Sequence, residues 1–246
     1  YGAAEAGRGD RKFREGKGKS VMSKAEEFTI RNMKGGGQRL TKYMGTDEVV
    51  TVPDGVTEIA SAAFKGVKKI LTEITIPESV KHLEGVFNGF PLLEKVTILG
   101  EGLEQIDSYC FYKCPNLKEL HLPDSVYSIG SIGTSVDAAK GGEFEGCTAL
   151  LCMEGKCLMA GDILVYYRMN PDDSVIEIPE GVRFIQDGFL EWDYNNSHKF
   201  DSVEQVILPE GIISIGADIF GKLQNLKELS LPHSLKAIRN SWGTIV

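Results

Sequence analysis

The chain has 246 residues, of which 42% are hydrophobic and 25% are charged, and its formal net charge is −8. No apolar run approaches the roughly 18 residues that a membrane-spanning helix needs, so we expect a folded protein with no membrane span. The acidic balance argues against nucleic acid as the main partner, because phosphate contacts require clustered lysines and arginines.

Residues 1–21 differ in composition from the rest of the chain. They contain six Lys or Arg, three Asp or Glu and almost no apolar residues. Such a segment cannot bury enough apolar surface to fold, so we expect a disordered tail. It also lacks the apolar middle of a signal peptide. Because the chain begins with Tyr1, we hypothesise that Met22 is the true start and that residues 1–21 are not translated in the native protein.

Residues 22–48 form the next unit of the predicted organisation. Two β-like runs, Phe28–Ile30 and Leu40–Tyr43, flank three consecutive glycines at 35–37. This pattern predicts an N-terminal hairpin with a flexible turn. Since a stack of repeats leaves an apolar face without a neighbour at its end, we expect the hairpin to cover that face.

Residues 49–246 are dominated by an internal repeat with a basic period of 22–24 residues. Each unit begins with a short β run that usually ends directly before a proline. The two apolar residues of this run lie on one face of the strand, because strands have a period of two. These pairs are Val50/Val52, Ile74/Ile76, Val96/Ile98, Leu120/Leu122, Ile176/Ile178, Val206/Leu208 and Leu229/Leu231.

Two more columns follow in each unit. The first is an apolar pair three residues apart, as in Val56/Ile59 and Leu103/Ile106. The second is one aromatic residue per unit: Phe64, Phe87, Phe111, Phe144, Phe189, Phe220 and Trp242. Agreement of about seven units in three columns predicts a mostly β solenoid, in which neighbouring units bury the face that one unit cannot bury alone.

The repeat segments LPDSVYSIG, IPEGVRFIQDGF and LPEGIISIGADIF resemble the BspA-type leucine-rich repeats of bacterial proteins. The resemblance covers about 49–242. It implies a leucine-rich-repeat solenoid with a short parallel sheet on one side and few or no regular helices. It also implies protein recognition or adhesion at a cell surface, no catalysis and no cofactor. If Met22 is the true start, we expect a cytoplasmic protein instead.

Three insertions interrupt the period, at 131–142, 151–174 and 193–202. In the second, Lys156–Ala160 and Ile163–Tyr167 lie on either side of Gly161-Asp162, which predicts a β-hairpin. The third carries Tyr194 and His198. Insertions in repeat proteins lie in loops that often carry function, although neutral variation in length would give the same pattern.

The chain has five cysteines and four histidines, and none forms a known catalytic or zinc-binding motif. Cys114 and Cys147 fall in an apolar column of the repeat, where cysteine packs as a small hydrophobic residue. Cys152 and Cys157 flank the predicted hairpin and have no assigned role. We therefore expect neither a metal site nor an enzyme.

The residues that alternate with the buried strand pairs should form an outer surface along the sheet. Our candidate binding residues on this surface are Thr75, Thr97, His121, Glu177, Ile207 and Ser230, and from the third insertion we add Tyr194 and His198. Two explanations remain open for the sheet surface: a ladder that binds a protein, or a solvated face in which threonine serves β propensity. For the whole chain, the alternative to a recognition module is an intracellular scaffold or a structural arm of a larger protein.

Overall fold

The computed structural model describes residues 25–107, 109–130, 142–190, 200–217 and 219–239. Within these ranges the regular structure consists of β-strands and short 3₁₀ turns at Ala25–Glu27, Lys65–Val67, Gly142–Phe144 and Phe220–Lys222. The predicted β solenoid without regular helices is confirmed for this part of the chain. No helix in it is long and apolar enough to cross a bilayer. The tail at 1–21, residues 131–141 of the first insertion and residues 193–199 of the third lie outside the described residues.

The first strand of each unit belongs to one of two parallel sheets. Sheet 1 contains β3 (Val49–Thr51), β5 (Glu73–Ile76), β7 (Lys95–Ile98) and β9 (Glu119–Leu120). Sheet 2 contains β14 (Val175–Glu177), β16 (Gln205–Ile207) and β18 (Glu228–Leu229). The strands stack in register, with Val50 beside Ile74 and Ile74 beside Val96, and all three side chains are buried. These seven strands match the seven predicted units.

The second apolar pair of each unit leads into another strand, so the solenoid has a second sheet on each half. Sheet 3 contains β1 (Phe28–Asn32), β2 (Gln38–Tyr43), β4 (Val56–Ile59), β6 (His82–Glu84), β8 (Gln105–Asp107) and β10 (Ser128–Ile129). Sheet 4 contains β11 (Leu151–Glu154), β12 (Cys157–Ala160), β13 (Ile163–Tyr167), β15 (Phe184–Ile185), β17 (Ser214–Ile215) and β19 (Ala237–Ile238).

A short parallel sheet was expected on one side of the solenoid, and sheets 3 and 4 add strands in each half that the sequence pattern did not indicate. In most units the first member of the apolar pair, such as Val80 or Leu103, lies in the turn before the strand. The second member lies in the strand itself. A spacing of three residues across this junction hides the alternation that identifies a strand.

Both predicted hairpins are present and both continue into the solenoid. β1 pairs antiparallel with β2, which then pairs parallel with β4, so the N-terminal hairpin forms the first layer of sheet 3. β12 and β13 pair antiparallel around Gly161, whose φ of 64° suits glycine in the turn. β11 adds a third antiparallel strand that the sequence did not indicate, and β13 pairs parallel with β15.

A ladder of aromatic rings runs through the first half of the core. The rings of Phe64 and Phe87 have centroids 6.3 Å apart, those of Phe87 and Phe111 are 5.7 Å apart, and those of Phe111 and Phe144 are 5.8 Å apart. All four side chains are fully buried. One phenylalanine per unit thus bridges successive turns of the solenoid, as the aromatic column predicted.

The apolar pair of the last unit does not follow the pattern. Leu229 and Leu231 were expected to face inward, yet 38% and 48% of their surfaces are exposed. The reason is their position, because β18 is the terminal strand of sheet 2. An inward-facing residue of a solenoid is buried only when turns on both sides cover it.

We expect the substitution Phe111→Ala to reduce the free energy of unfolding by about 3–5 kcal/mol, since it removes a buried ring that contacts two neighbouring rings. Urea denaturation followed by circular dichroism measures the change. Leu99→Ala serves as the control, because Leu99 is 44% exposed and should change stability by less than about 0.5 kcal/mol. A loss below about 1 kcal/mol for Phe111→Ala would contradict the role of the ladder.

Candidate functional site

The outer face of sheet 1 is mainly polar and includes an ion pair. Thr75 and Thr97 lie side by side on β5 and β7 and are half-buried, and His121 is exposed directly after β9. Next to this row, the Nζ atom of Lys95 lies 2.5 Å from a carboxylate oxygen of Glu119. The hydrogen bond between these groups raises the pKa of Lys95 and lowers that of Glu119. Such a surface is well solvated without a partner.

The outer face of sheet 2 is more apolar. Glu177 on β14 lies directly beside Ile207 on β16 in the strand register, and Ile207 is 42% exposed. Val175, also on β14, is half-buried. On sheet 1 the exposed apolar side chain is Val49 on the terminal strand β3, whereas Ile207 lies on the middle strand of sheet 2.

A groove with a volume of about 510 Å³ lies where sheet 2 meets the hairpin β12–β13. Its apolar and aromatic lining consists of Tyr167, Val175, Ile178, Pro179, Ile207 and Pro209. Cys157, a residue without an assigned role from sequence, contributes a buried thiol whose pKa burial raises to about 11. The groove therefore joins the outer face of sheet 2 to the second insertion and brings Ile207 on β16 next to residues of that insertion.

Four charged side chains complete the lining of the groove. Glu154, Glu177 and Glu180 are exposed, and Lys156 is the one basic residue among the lining residues. The Nζ atom of Lys156 lies 2.7 Å from a carboxylate oxygen of Asp173. This hydrogen bond raises the pKa of Lys156 and lowers that of Asp173, so the two charges largely cancel.

The candidate residues from sequence thus fall into separate places. Glu177 and Ile207 come together in the groove, whereas Thr75, Thr97 and His121 lie on sheet 1. Ser230 is exposed after β18 and does not line the groove. Tyr194 and His198 lie outside the described residues. The roles of all eight residues in binding stay predictions.

A buried polar cluster elsewhere in the fold was not predicted. The Nη1 atom of Arg239 donates to the Oγ atom of Ser128, to an oxygen of Asp187 at 2.7 Å and to the carbonyl of Gly130 at 3.5 Å. Ser128 is in β10, Asp187 follows β15 and Arg239 follows β19. One guanidinium therefore connects repeat units on both sides of the inserted hairpin.

Glu143 is the fully buried carboxylate of this cluster. Neither of its carboxylate oxygens has a hydrogen-bond partner among the described residues, and only its backbone N–H donates, to Gln186 at 3.3 Å. Burial, with smaller contributions from Asp107 and Asp187, raises the pKa of Glu143 to about 7. Burial also raises the pKa of Asp107 to about 6, although Arg239 opposes this shift.

The repeat pattern held the signal for this cluster. Glu143 immediately precedes the aromatic residue of its unit, a position that is Ala63, Val86 and Cys110 in the three units before it. A glutamate in an otherwise apolar column indicates a buried carboxylate. Within the described ranges, no three or more His, Cys, Asp or Glu residues are grouped so that they could hold a metal ion.

The protein-family model described as BspA type leucine rich repeat region matches residues 43–133 and 194–242 in six copies. The matched residues are more than half of the sequence, and the chain belongs to the BspA-type leucine-rich repeat family. This confirms the resemblance that the repeat segments carried.

Comparison with solved structures found bacterial leucine-rich repeat proteins. The leucine-rich repeat protein of T. pallidum is 20% identical, with 84% of this chain and 91% of that chain covered and a TM-score of 0.46. A leucine-rich repeat protein of Bacteroides ovatus is 25% identical, with coverages of 87% and 48% and a TM-score of 0.40. A leucine-rich cell surface protein of Faecalibacterium prausnitzii is 18% identical, with coverages of 87% and 77% and a TM-score of 0.35. The comparison with curated proteins found no match.

We expect Glu143 to make stability depend on pH between about 4.5 and 7. In this window the folded chain holds a proton on Glu143 that the unfolded chain has released, so the free energy of unfolding falls as the pH rises. Relative to Glu143→Gln, the wild type should lose on the order of 2–3 kcal/mol across the window. Denaturant unfolding at several pH values measures this.

The exposed Glu26 supplies the control, because Glu26→Gln should leave the pH profile of the wild type unchanged. If Glu143→Gln retains the wild-type slope between pH 4.5 and 7, the assignment of the slope to Glu143 is wrong.

Proposed function

We propose that the chain is a non-enzymatic recognition or adhesion module that binds a partner protein through the outer face of sheet 2 and the adjoining hairpin β12–β13. The observation that carries this proposal is the exposed Ile207 in a groove with apolar walls. Protein interfaces have such apolar centres surrounded by polar residues. Membership of a leucine-rich repeat family supports the same class of function, because solenoids present extended surfaces to partners.

The contrast between the two outer faces supports sheet 2 as the docking surface. On sheet 1 the central side chains are threonines and an ion pair, which water solvates well, and the exposed Val49 lies on the terminal strand β3. On sheet 2 Ile207 leaves apolar area in contact with water, and burial of that area favours binding. The explanation of a merely solvated face therefore applies better to sheet 1.

The third insertion belongs to the same proposal. It directly precedes β16 in the sequence, and it carries Tyr194 and His198. We keep both residues as proposed contacts.

The substitution Ile207→Ser should weaken binding of the physiological partner by at least about 30-fold, since truncation of a central apolar contact typically costs 2 kcal/mol or more. The immobilised chain captures partners from surface and lysate fractions of the source and neighbouring cells, and quantitative mass spectrometry compares the variants. Surface plasmon resonance with the purified partner then measures the loss.

Leu92→Ser is the matched control, because Leu92 is 41% exposed but lies outside sheet 2. A third variant, Thr97→Asp, tests the face of sheet 1. A partner that binds the wild type and Ile207→Ser equally, but is lost with Thr97→Asp, would place the docking surface on sheet 1 and refute the proposal.

A further inference from the structure

The groove is suited to side chains of a partner and not to an added strand. β14 is the terminal strand of sheet 2, and a terminal strand can in principle receive an added strand from a partner. Here, however, the hydroxyl of Tyr167 accepts a hydrogen bond from the backbone N–H of Glu177 at 3.4 Å. The hairpin thus occupies this edge of β14, so the groove is suited to side chains that enter between Tyr167 and Ile207.

The charged side chains that line the groove favour a partner with a cation next to its apolar side chain. Several surface glutamates of the repeats pair with a lysine of the following or preceding unit, as Glu204 does with Lys227 at 2.6 Å. Among the described residues, Glu154, Glu177 and Glu180 form no ion pair. Lys156 does not compensate them, because its charge is taken up by Asp173. The groove therefore combines an apolar interior with an acidic margin.

We infer that the groove binds a segment of a partner protein in which an apolar side chain is flanked by lysines or arginines. This inference rests on the proposed function and specifies the chemistry of its partner. The apolar side chain contacts Ile207 beside Tyr167, and the flanking cations lie near the three glutamates. Complementary charges at a polar margin contribute mainly specificity and the rate of association.

Three labelled eight-residue peptides test the inference directly. Each has a central leucine with glycine and serine at its ends, and the leucine is flanked on both sides by lysines, by serines or by glutamates. Fluorescence anisotropy with the full chain measures binding. We expect the lysine peptide to bind about tenfold more tightly than the serine peptide and to lose this advantage as the salt concentration rises.

Two matched triple variants separate specific binding from attraction to an acidic protein. Replacement of Glu154, Glu177 and Glu180 by Gln should reduce binding of the lysine peptide to the level of the serine peptide. Replacement of the exposed Glu26, Glu48 and Glu73 by Gln removes the same charge elsewhere and should leave binding within twofold of the wild type. Ile207→Ser should weaken binding of every peptide that enters the groove.

Each other outcome has a defined meaning. If the serine or glutamate peptide binds as tightly as the lysine peptide and still depends on Ile207, the groove is a docking site but the cationic partner is wrong. If both triple variants weaken binding equally, or if the lysine peptide does not bind, the inference is overturned. Failure of the proposed function itself is distinguished by the capture experiment, in which Ile207→Ser would have no effect.

Discussion

The structure depends on burial of apolar side chains between successive turns of the solenoid. A single unit presents Phe87, Val96 or Ile106 on one side only, and these residues are fully buried because the units before and after cover them. The aromatic ladder shows this most clearly, since each ring contacts the ring of the next unit at about 6 Å. Leu229 lies on β18, the terminal strand of sheet 2, and it is exposed because it has a neighbouring strand on one side only.

The proposed binding surface lies where this regular stacking is interrupted. The inserted hairpin β12–β13 pairs with the solenoid through β15, and its side chains also form one wall of the groove beside β14. The same region requires polar connections, since Arg239 links β10 to the end of β15 and Arg183 bonds to Asp162 in the hairpin turn at 2.9 Å. Arg183, which precedes β15, thereby ties the turn of the hairpin to the next unit of the solenoid.

The repeat made the fold predictable, because each column of apolar residues was supported by about seven independent copies. The sheets formed by β4, β6 and β8 were missed because the paired residues, such as Leu103 and Ile106, span a turn and a strand. Of the site, Glu177 and Ile207 were predicted from the alternation in their strands. Tyr167 was not, because its place beside Glu177 depends on how the hairpin folds back, which no periodicity encodes. Glu143 stands in an apolar column of the repeat, which indicates burial. The raised pKa of Glu143 follows from the surroundings of its carboxylate, which only the structure shows.

The most direct test of this account is hydrogen–deuterium exchange of the full chain, alone and with its purified partner. We expect the partner to slow exchange in 154–180 and 205–209, which include the strands and turns that line the groove, and to leave exchange in β5 and β7 unchanged. Slower exchange in β5 and β7 with no change around the groove would contradict the central claim that sheet 2 and the hairpin form the binding surface.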